Sequence, residues 1–163
     1  MTPGSDTVRT RPIEAADRAR WDALWRGYLG FYRQDLPPQI TEFTWSRLID
    51  AAQPLHGFVA ADAADHVIGF VHYLFHPSSW SLNGYCYLED LFVDPAARSR
   101  GVGRALIESV YRAAQERGAD RVYWHTENTN ARAQVLYHQV ATLTPFLQFR
   151  RETAALQGPS PSD

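Results

Sequence analysis

The sequence predicts a single α/β domain, a mixed sheet with helices on both faces. Three observations predict it. Short runs of strand composition alternate with longer stretches of helical period along the 163 residues. Two of those stretches carry an apolar stripe at three- and four-residue spacing: Trp21, Leu24, Trp25, Tyr28 and Leu29 in one, and Val102, Leu106, Ile107, Val110, Tyr111 and Ala114 in the other. Hydrophobic residues make up 45% of the chain and aromatics 13%, which is enough to bury a substantial core at this length.

Taken in order, residues 8–13 read as a first strand and 14–32 as a helix. Leu36-Pro37-Pro38 interrupts that helix, because proline has no N–H to donate. Residues 41–51 form a second short helix, ended before Pro54. Residues 57–61 and 67–75 are strands around a turn at 62–65. His76-Pro77-Ser78-Ser79-Trp80 reads as a loop and 84–93 as the central strand. The long helix covers 101–117, with Gly118 suited to its C-terminal cap. A strand over 121–125, a helix over 130–140 and a final strand over 144–151 complete the order. Residues 158–163 are rich in Pro and Ser and are expected to be a disordered tail, which leaves 1–157 as the domain.

Composition removes several function classes. Net charge is -2 and the arginines are spread from Arg9 to Arg151, so no basic face for nucleic acid is expected. All 16 positive residues are arginine, which excludes Schiff-base chemistry on a lysine. Cys86 is the only cysteine, so no intrachain disulfide can form. No apolar stretch approaches the length that spans a membrane, and residues 1–7 carry no apolar signal core. A cytoplasmic location is the default expectation. His72 and His76 share a strand face, but zinc sites use three or four ligands and no third stands at suitable spacing. No metal is expected.

The segment richest in chemistry is Arg98-Ser99-Arg100-Gly101-Val102-Gly103, between the central strand and the long helix. Glycines one residue apart let a backbone turn tightly and approach a ligand closely. The helix behind them points free N–H groups and its positive dipole end at the loop, a seat for a pyrophosphate. A P-loop would need Lys after the last glycine, and Arg104 stands there. A dinucleotide fingerprint would need a third small residue, where Leu106 stands, and would follow its strand directly. Here residues 94–100 intervene, although Glu127 falls where a ribose-binding acid would sit. A plain connector using glycine for its geometry is the remaining alternative to the pattern Arg/Gln-x-x-Gly-x-Gly/Ala, which Arg98, Gly101 and Gly103 match.

That last pattern is the pyrophosphate loop of the GNAT superfamily of acyl-CoA-dependent N-acetyltransferases. A second motif follows in the right place: Asn130-Ala131-Arg132-Ala133-Gln134-Val135-Leu136-Tyr137 is similar to the superfamily's Asn-x-x-Ala-x-x-Leu-Tyr. The resemblance runs from about residue 8 to 151. Trp80-Ser81-Leu82, Tyr85-Cys86-Tyr87-Leu88-Glu89-Asp90, Tyr123-Trp124-His125-Thr126 and Thr144-Pro145-Phe146 are similar to a fungal subgroup acting on histones, polyamines and D-amino acids. Tyr87-Leu88-Glu89-Asp90 also resembles the diamine and polyamine N-acetyltransferases.

The resemblance implies a mostly antiparallel GNAT-like sheet, acetyl-CoA as co-substrate and transfer to a primary amine by direct attack in a ternary complex. It implies that Arg98 opens the loop and that the backbone of Arg100, Gly101, Val102, Gly103 and Arg104 holds the pyrophosphate. Phe92 and Val93 would pair with the pantetheine arm, a nearby backbone N–H would face the oxyanion, and Asn130 would contact the arm. Tyr137 would protonate the departing thiolate, the alternative being an ordinary packed aromatic. Glu89 would be the general base, with Asp90 or His125 as alternatives. Neighbours in a strand point to opposite faces, so only one of Glu89 and Asp90 can face the cleft unless a bulge intervenes.

The acceptor pocket would draw on Tyr28, Tyr32 and Trp80. The expected acceptor is a small-molecule amine. A polyamine would use Asp35, Glu42, Glu89 and Asp90, and an amino acid would need Arg26, Arg33 or Arg47 for its carboxylate. A protein or histone-tail lysine, or a non-catalytic acyl-CoA-binding module, are the alternatives. The family implies a homodimer.

Overall fold

The computed structural model describes residues 7–153, so the expected tail at 158–163 lies outside the described residues. The elements run β1 (Arg9–Pro12), α1 (Arg18–Phe31), α2 (Pro38–Ile49), β2 (Leu55–Ala61), β3 (Val67–Ser78), β4 (Ser81–Val93), α3 (Val102–Arg117), β5 (Val122–Tyr123) and α4 (Ala131–Val140). The strands form one sheet in sequence order, β1-β2-β3-β4-β5. Every pairing is antiparallel except β4 with β5, which is parallel.

Each face of the sheet has its own apolar layer. On one face Leu106, Ile107, Val110 and Ala114 of α3 pack on Val71, Tyr73, Cys86 and Leu88. On the other, Trp21, Leu24 and Trp25 of α1 and Trp45 and Leu48 of α2 pack on Val59, Phe70 and Phe92. The stripes read in the sequence are the stripes buried here, because an apolar face at helical period has to meet the sheet.

Four boundaries differ from expectation. Residues 15–17 form a 3-10 turn, so α1 starts at Arg18. Asp17 holds that turn by accepting from the Glu14 N–H at 2.8 Å and from Arg11 Nη1 and Nη2, each at 2.8 Å. The α2 helix starts earlier, with Pro38 in its first turn, where its missing N–H costs nothing. The expected loop at 76–80 is a tight hairpin, Ser78 pairing with Ser81. The expected final strand at 144–151 is absent, and Leu143, Phe146, Leu147 and Phe149 are exposed. Strand composition is not sufficient without an adjacent edge to pair with, and β5 is only two residues long. No helix among the described residues is long and apolar enough to cross a membrane.

Candidate active site

The site forms where β4 and β5 part. Their ladder holds only at Cys86–Val122 and Tyr87–Tyr123. Among the described residues the rest of β4, from Leu88 to Val93, has no strand partner on the β5 side and pairs only with β3 on its other edge. The other wall of the opening is α4. The resulting cleft has a volume of about 730 Å³. It is lined by Leu91, Phe92 and Val93 of β4, by Arg98, Ser99, Gly101, Val102, Gly103 and Arg104 of the loop and α3, by Asn130, Leu136 and Tyr137, and by Phe31 and Tyr32 from the end of α1.

One end of the cleft is an anion cradle. Gly101 has φ 75°, a left-handed conformation that side-chain-bearing residues enter at a cost, and it sets the turn into α3. The first intrahelical bond runs from Ala105 N–H to the Gly101 carbonyl, so the N–H groups of Val102, Gly103 and Arg104 are the orphan donors of the helix start. Gly103 lets α4 come close, since a Cβ there would lie 3.2 Å from Leu136 Cδ2. Arg98 stacks over Phe92 at 6.0 Å, and Arg104 reaches Gln139 across the helices. Donors, dipole and arginines all suit a diphosphate, and the apolar floor of Leu91, Phe92 and Val93 suits an alkyl amide arm.

The carboxylates Glu89 and Asp90 do not line this cleft; they precede its β4 wall in the chain, and a bulge decides how they point. His72 pairs with Asp90 but Tyr73 pairs with Leu88, so Glu89 is the extra residue on β4. The alternation of the strand reverses there. Cys86 and Leu88 face α3 before the bulge, and Leu91 and Val93 face it after. Glu89 and Asp90 are therefore both turned toward the opposite face, under α1 and α2. The choice of one or the other that simple alternation imposed does not arise.

Their surroundings separate their roles. Asp90 accepts from the Tyr28 hydroxyl with Oδ1 and from His72 Nδ1 at 2.9 Å with Oδ2. The Trp21 indole N–H can only donate, and it meets His72 Nε2 at 3.0 Å. His72 therefore carries its proton on Nδ1 and donates it to Asp90. Trp21, His72, Asp90 and Tyr28 form one buried chain that fixes the bulge. Glu89 accepts no hydrogen bond among the described residues. It keeps solvent contact, yet the surrounding protein strips part of its hydration and pushes its pKa above the ordinary value. The Asp90 charge pushes the same way, and Arg47 pulls it back.

Tyr137, on the inward side of α4, sets its ring against Trp124 at 5.4 Å. Burial, and then Tyr32, push its phenol up to about 12. Tyr32 links the cleft to the carboxylates: it lines the cleft with Tyr137, packs at a tilt against Tyr28 with ring centres 5.0 Å apart, and feels the Asp90 charge.

The wider comparison agrees with this geometry. The Acetyltransferase (GNAT) family model matches residues 19–141. The chain is 41% identical over 148 residues to the D-amino-acid N-acetyltransferase HPA3 of Saccharomyces cerevisiae, covering 90% of this chain and 92% of that protein. It is 32% identical over 133 residues to the uncharacterized N-acetyltransferase YhfO of Bacillus subtilis, covering 81% and 87%.

The chain belongs to the GNAT acetyltransferase family.

A solved structure of the aminoglycoside N-acetyltransferase AAC(6')-Iy with a bisubstrate analogue, CoA-S-monomethyl-acetylneamine, shares this fold with a TM-score of 0.77. That match is 21% identical and covers 91% of this chain and 99% of the other. The protein is thus a GNAT acyltransferase with a five-stranded, mostly antiparallel sheet.

Within the GNAT frame the remaining expected residues fall in different places. Tyr28 is inside, bonded to Asp90. Arg100 is exposed and lies outside the cleft lining, although its neighbours belong to it. Trp80 sits on the β3–β4 turn, 79% exposed, and does not line the cleft. His125 meets the Tyr87 hydroxyl through Nδ1 at 3.0 Å. His72 and His76 are committed to separate partners, His76 to the Tyr123 hydroxyl at 2.6 Å, and no three potential metal ligands cluster among the described residues. The sequence reading missed Leu136 beneath Gly103 and the Trp21–His72 chain. The second left a faint signal, a histidine inside the apolar run 67–75.

Proposed function

We propose that this GNAT enzyme transfers the acetyl group of acetyl-CoA to the primary amine of a small molecule, with an amino acid ahead of a polyamine as acceptor. The observation that carries the reading is the β4 bulge. It turns Glu89 toward the acceptor side with its carboxylate unengaged, while Asp90 beside it is fully occupied. The 41% identity to a D-amino-acid N-acetyltransferase over most of both chains supports the acceptor class.

In this reading the backbone of residues 100–104 binds the pyrophosphate, Arg98 adds charge, and Asn130, Phe92 and Val93 meet the pantetheine arm. Tyr28 and Tyr32 wall the acceptor. Glu89 takes a proton from the ammonium, directly or through water. The freed amine attacks the thioester carbon, a C–N bond forms and the C–S bond breaks. Tyr137 donates its proton to the departing sulfur, and the second proton that the nitrogen loses as the amide forms returns through solvent to the phenolate. A phenol held near 12 is a weak acid toward a free thiol of pKa about 8.5 in water. Partial burial of the departing thiolate raises its pKa as well and narrows the difference. The exposed Leu143, Phe146, Leu147 and Phe149 support a homodimer that covers them.

The test is free-thiol release from acetyl-CoA across amino acids, polyamines, aminoglycosides and basic peptides. Release with small amines is expected. Release with basic peptides alone would replace this reading by the protein-lysine one, and binding of acetyl-CoA without release would reject it.

A further inference from the structure

Arg47 has an unusual environment. Its Nε is buried and has no hydrogen-bond partner. Its guanidinium lies 4.5 Å over the Phe43 ring, and Nη2 makes one long contact to Thr44 Oγ1 at 3.5 Å. Native proteins satisfy buried donors almost without exception, and an orphaned guanidinium N–H asks for an acceptor.

The fold says where that donor stands. Gly57 lies opposite His72, and His72 opposite Asp90, in one row across β2, β3 and β4. Leu48 of α2 sits on this row: a Cβ at Gly57 would be 3.2 Å from Leu48 Cδ2 and 3.5 Å from His72 Cδ2. Trp25 ties α2 to α1 by donating to Thr41 Oγ1 at 3.0 Å. The last turn of α2, with Arg47 next to Leu48, is thus held above the row that ends at the bulge. Glu89 senses the positive charge of Arg47. The two form no ion pair among the described residues, so a gap separates them. Arg26 and Arg33, the other arginines considered for a carboxylate, are exposed, and Arg18, which also contacts α2, is already paired with Asp22 and Glu42.

We propose that Arg47 is the carboxylate-binding residue of the acceptor site, which selects α-amino acids over carboxylate-free amines. This rests on the acetyl-transfer reading above. An α-amino acid carries an ammonium and a carboxylate a few bonds apart. Its ammonium faces Glu89 and its carboxylate faces Arg47, whose planar fork binds a carboxylate with two donors. A polyamine would instead set a second cation against Arg47.

The test compares an amino acid with its own carboxamide, at saturating acetyl-CoA, by thiol release. The carboxamide has the lower amine pKa, since the carboxylate charge is gone, so intrinsic reactivity favours the amide. The wild-type enzyme is expected to prefer the acid by about tenfold or more in kcat/KM. Arg47→Gln is expected to raise KM for the acid by about 10- to 100-fold and, measured above the acid limb of each protein, to lower kcat/KM for the amide by at least about tenfold less than for the acid. A wild-type enzyme that turns over both equally overturns the inference without recourse to a variant. An equal loss on both substrates in Arg47→Gln overturns it too, by making Arg47 merely structural. Absence of release by the wild-type protein with any amine rejects the acetyl-transfer reading itself, and the inference falls with it. Release with amines but indifference to the carboxylate rejects the inference alone.

Discussion

The loop end of the cleft and the carboxylate cluster outside its lining, termed the carboxylate end, are built from different materials. The loop end is backbone: Gly101 in a left-handed turn, the free N–H groups of Val102 to Arg104, and Gly103 admitting Leu136. The carboxylate end is side chains from four elements, with Glu89 and Asp90 of β4, His72 of β3, Tyr28 of α1 and Arg47 of α2 around one bulge. Backbone donors belong to every sequence that makes the same turn, so the loop end suits a co-substrate shared by a whole family. Side-chain donors change one residue at a time, so the carboxylate end suits an acceptor that differs between relatives.

The contrast predicts that substitutions at the two ends separate turnover from cofactor affinity. The largest effect is expected from Glu89→Gln, which should lower kcat by about 10²- to 10⁴-fold while acetyl-CoA affinity, measured by calorimetry, stays the same. A matching fall in affinity would erase the distinction between the ends. Tyr137→Phe should follow, with kcat down by about 10²-fold and only a small change in acetyl-CoA binding. Because Tyr137 is pushed up to about 12, it stays protonated through the assay range and produces no alkaline limb below that value. An alkaline limb between pH 8 and 10 that Tyr137→Phe removes would refute this protonation state.

In the proposed mechanism the acid limb belongs to Glu89. Its pKa is raised, so its base form is lost as pH falls through a point above the ordinary glutamate value. Activity should rise with pH through that point, and Asp90→Asn should move the limb downward by removing a like charge. A limb that stays put would separate Asp90 from the base. Gly101→Val comes next. The left-handed φ strains any β-branched residue by roughly 1–2 kcal/mol, and acetyl-CoA should bind about tenfold more weakly or worse. Unchanged affinity would remove the pyrophosphate from this loop. Trp80→Ala should have the smallest effect, within about twofold in kcat/KM, because an exposed turn residue outside the cleft has little to lose. A larger loss would extend the acceptor site to the hairpin.

The sequence by itself determined the family, the main helices and the glycine turn that opens α3. Each is a local property. The stripes of α1 and α3 repeat at the helix period, and Gly101 and Gly103 meet a stereochemical need within a few residues of chain. Composition overreached at 144–151, where strand-forming residues have no edge to join.

Tertiary structure alone decided the arrangement around Glu89. The bulge at Glu89 is a count of β4 residues against β3 residues, and no single strand contains that count. The proton on His72 Nδ1 follows from an indole 51 residues away. The distinction of Arg47 from the exposed Arg26 and Arg33 follows from packing that closes its Nε off from solvent. Register, tautomer and burial are relations between distant segments, and they become fixed only when the two faces of the sheet are packed.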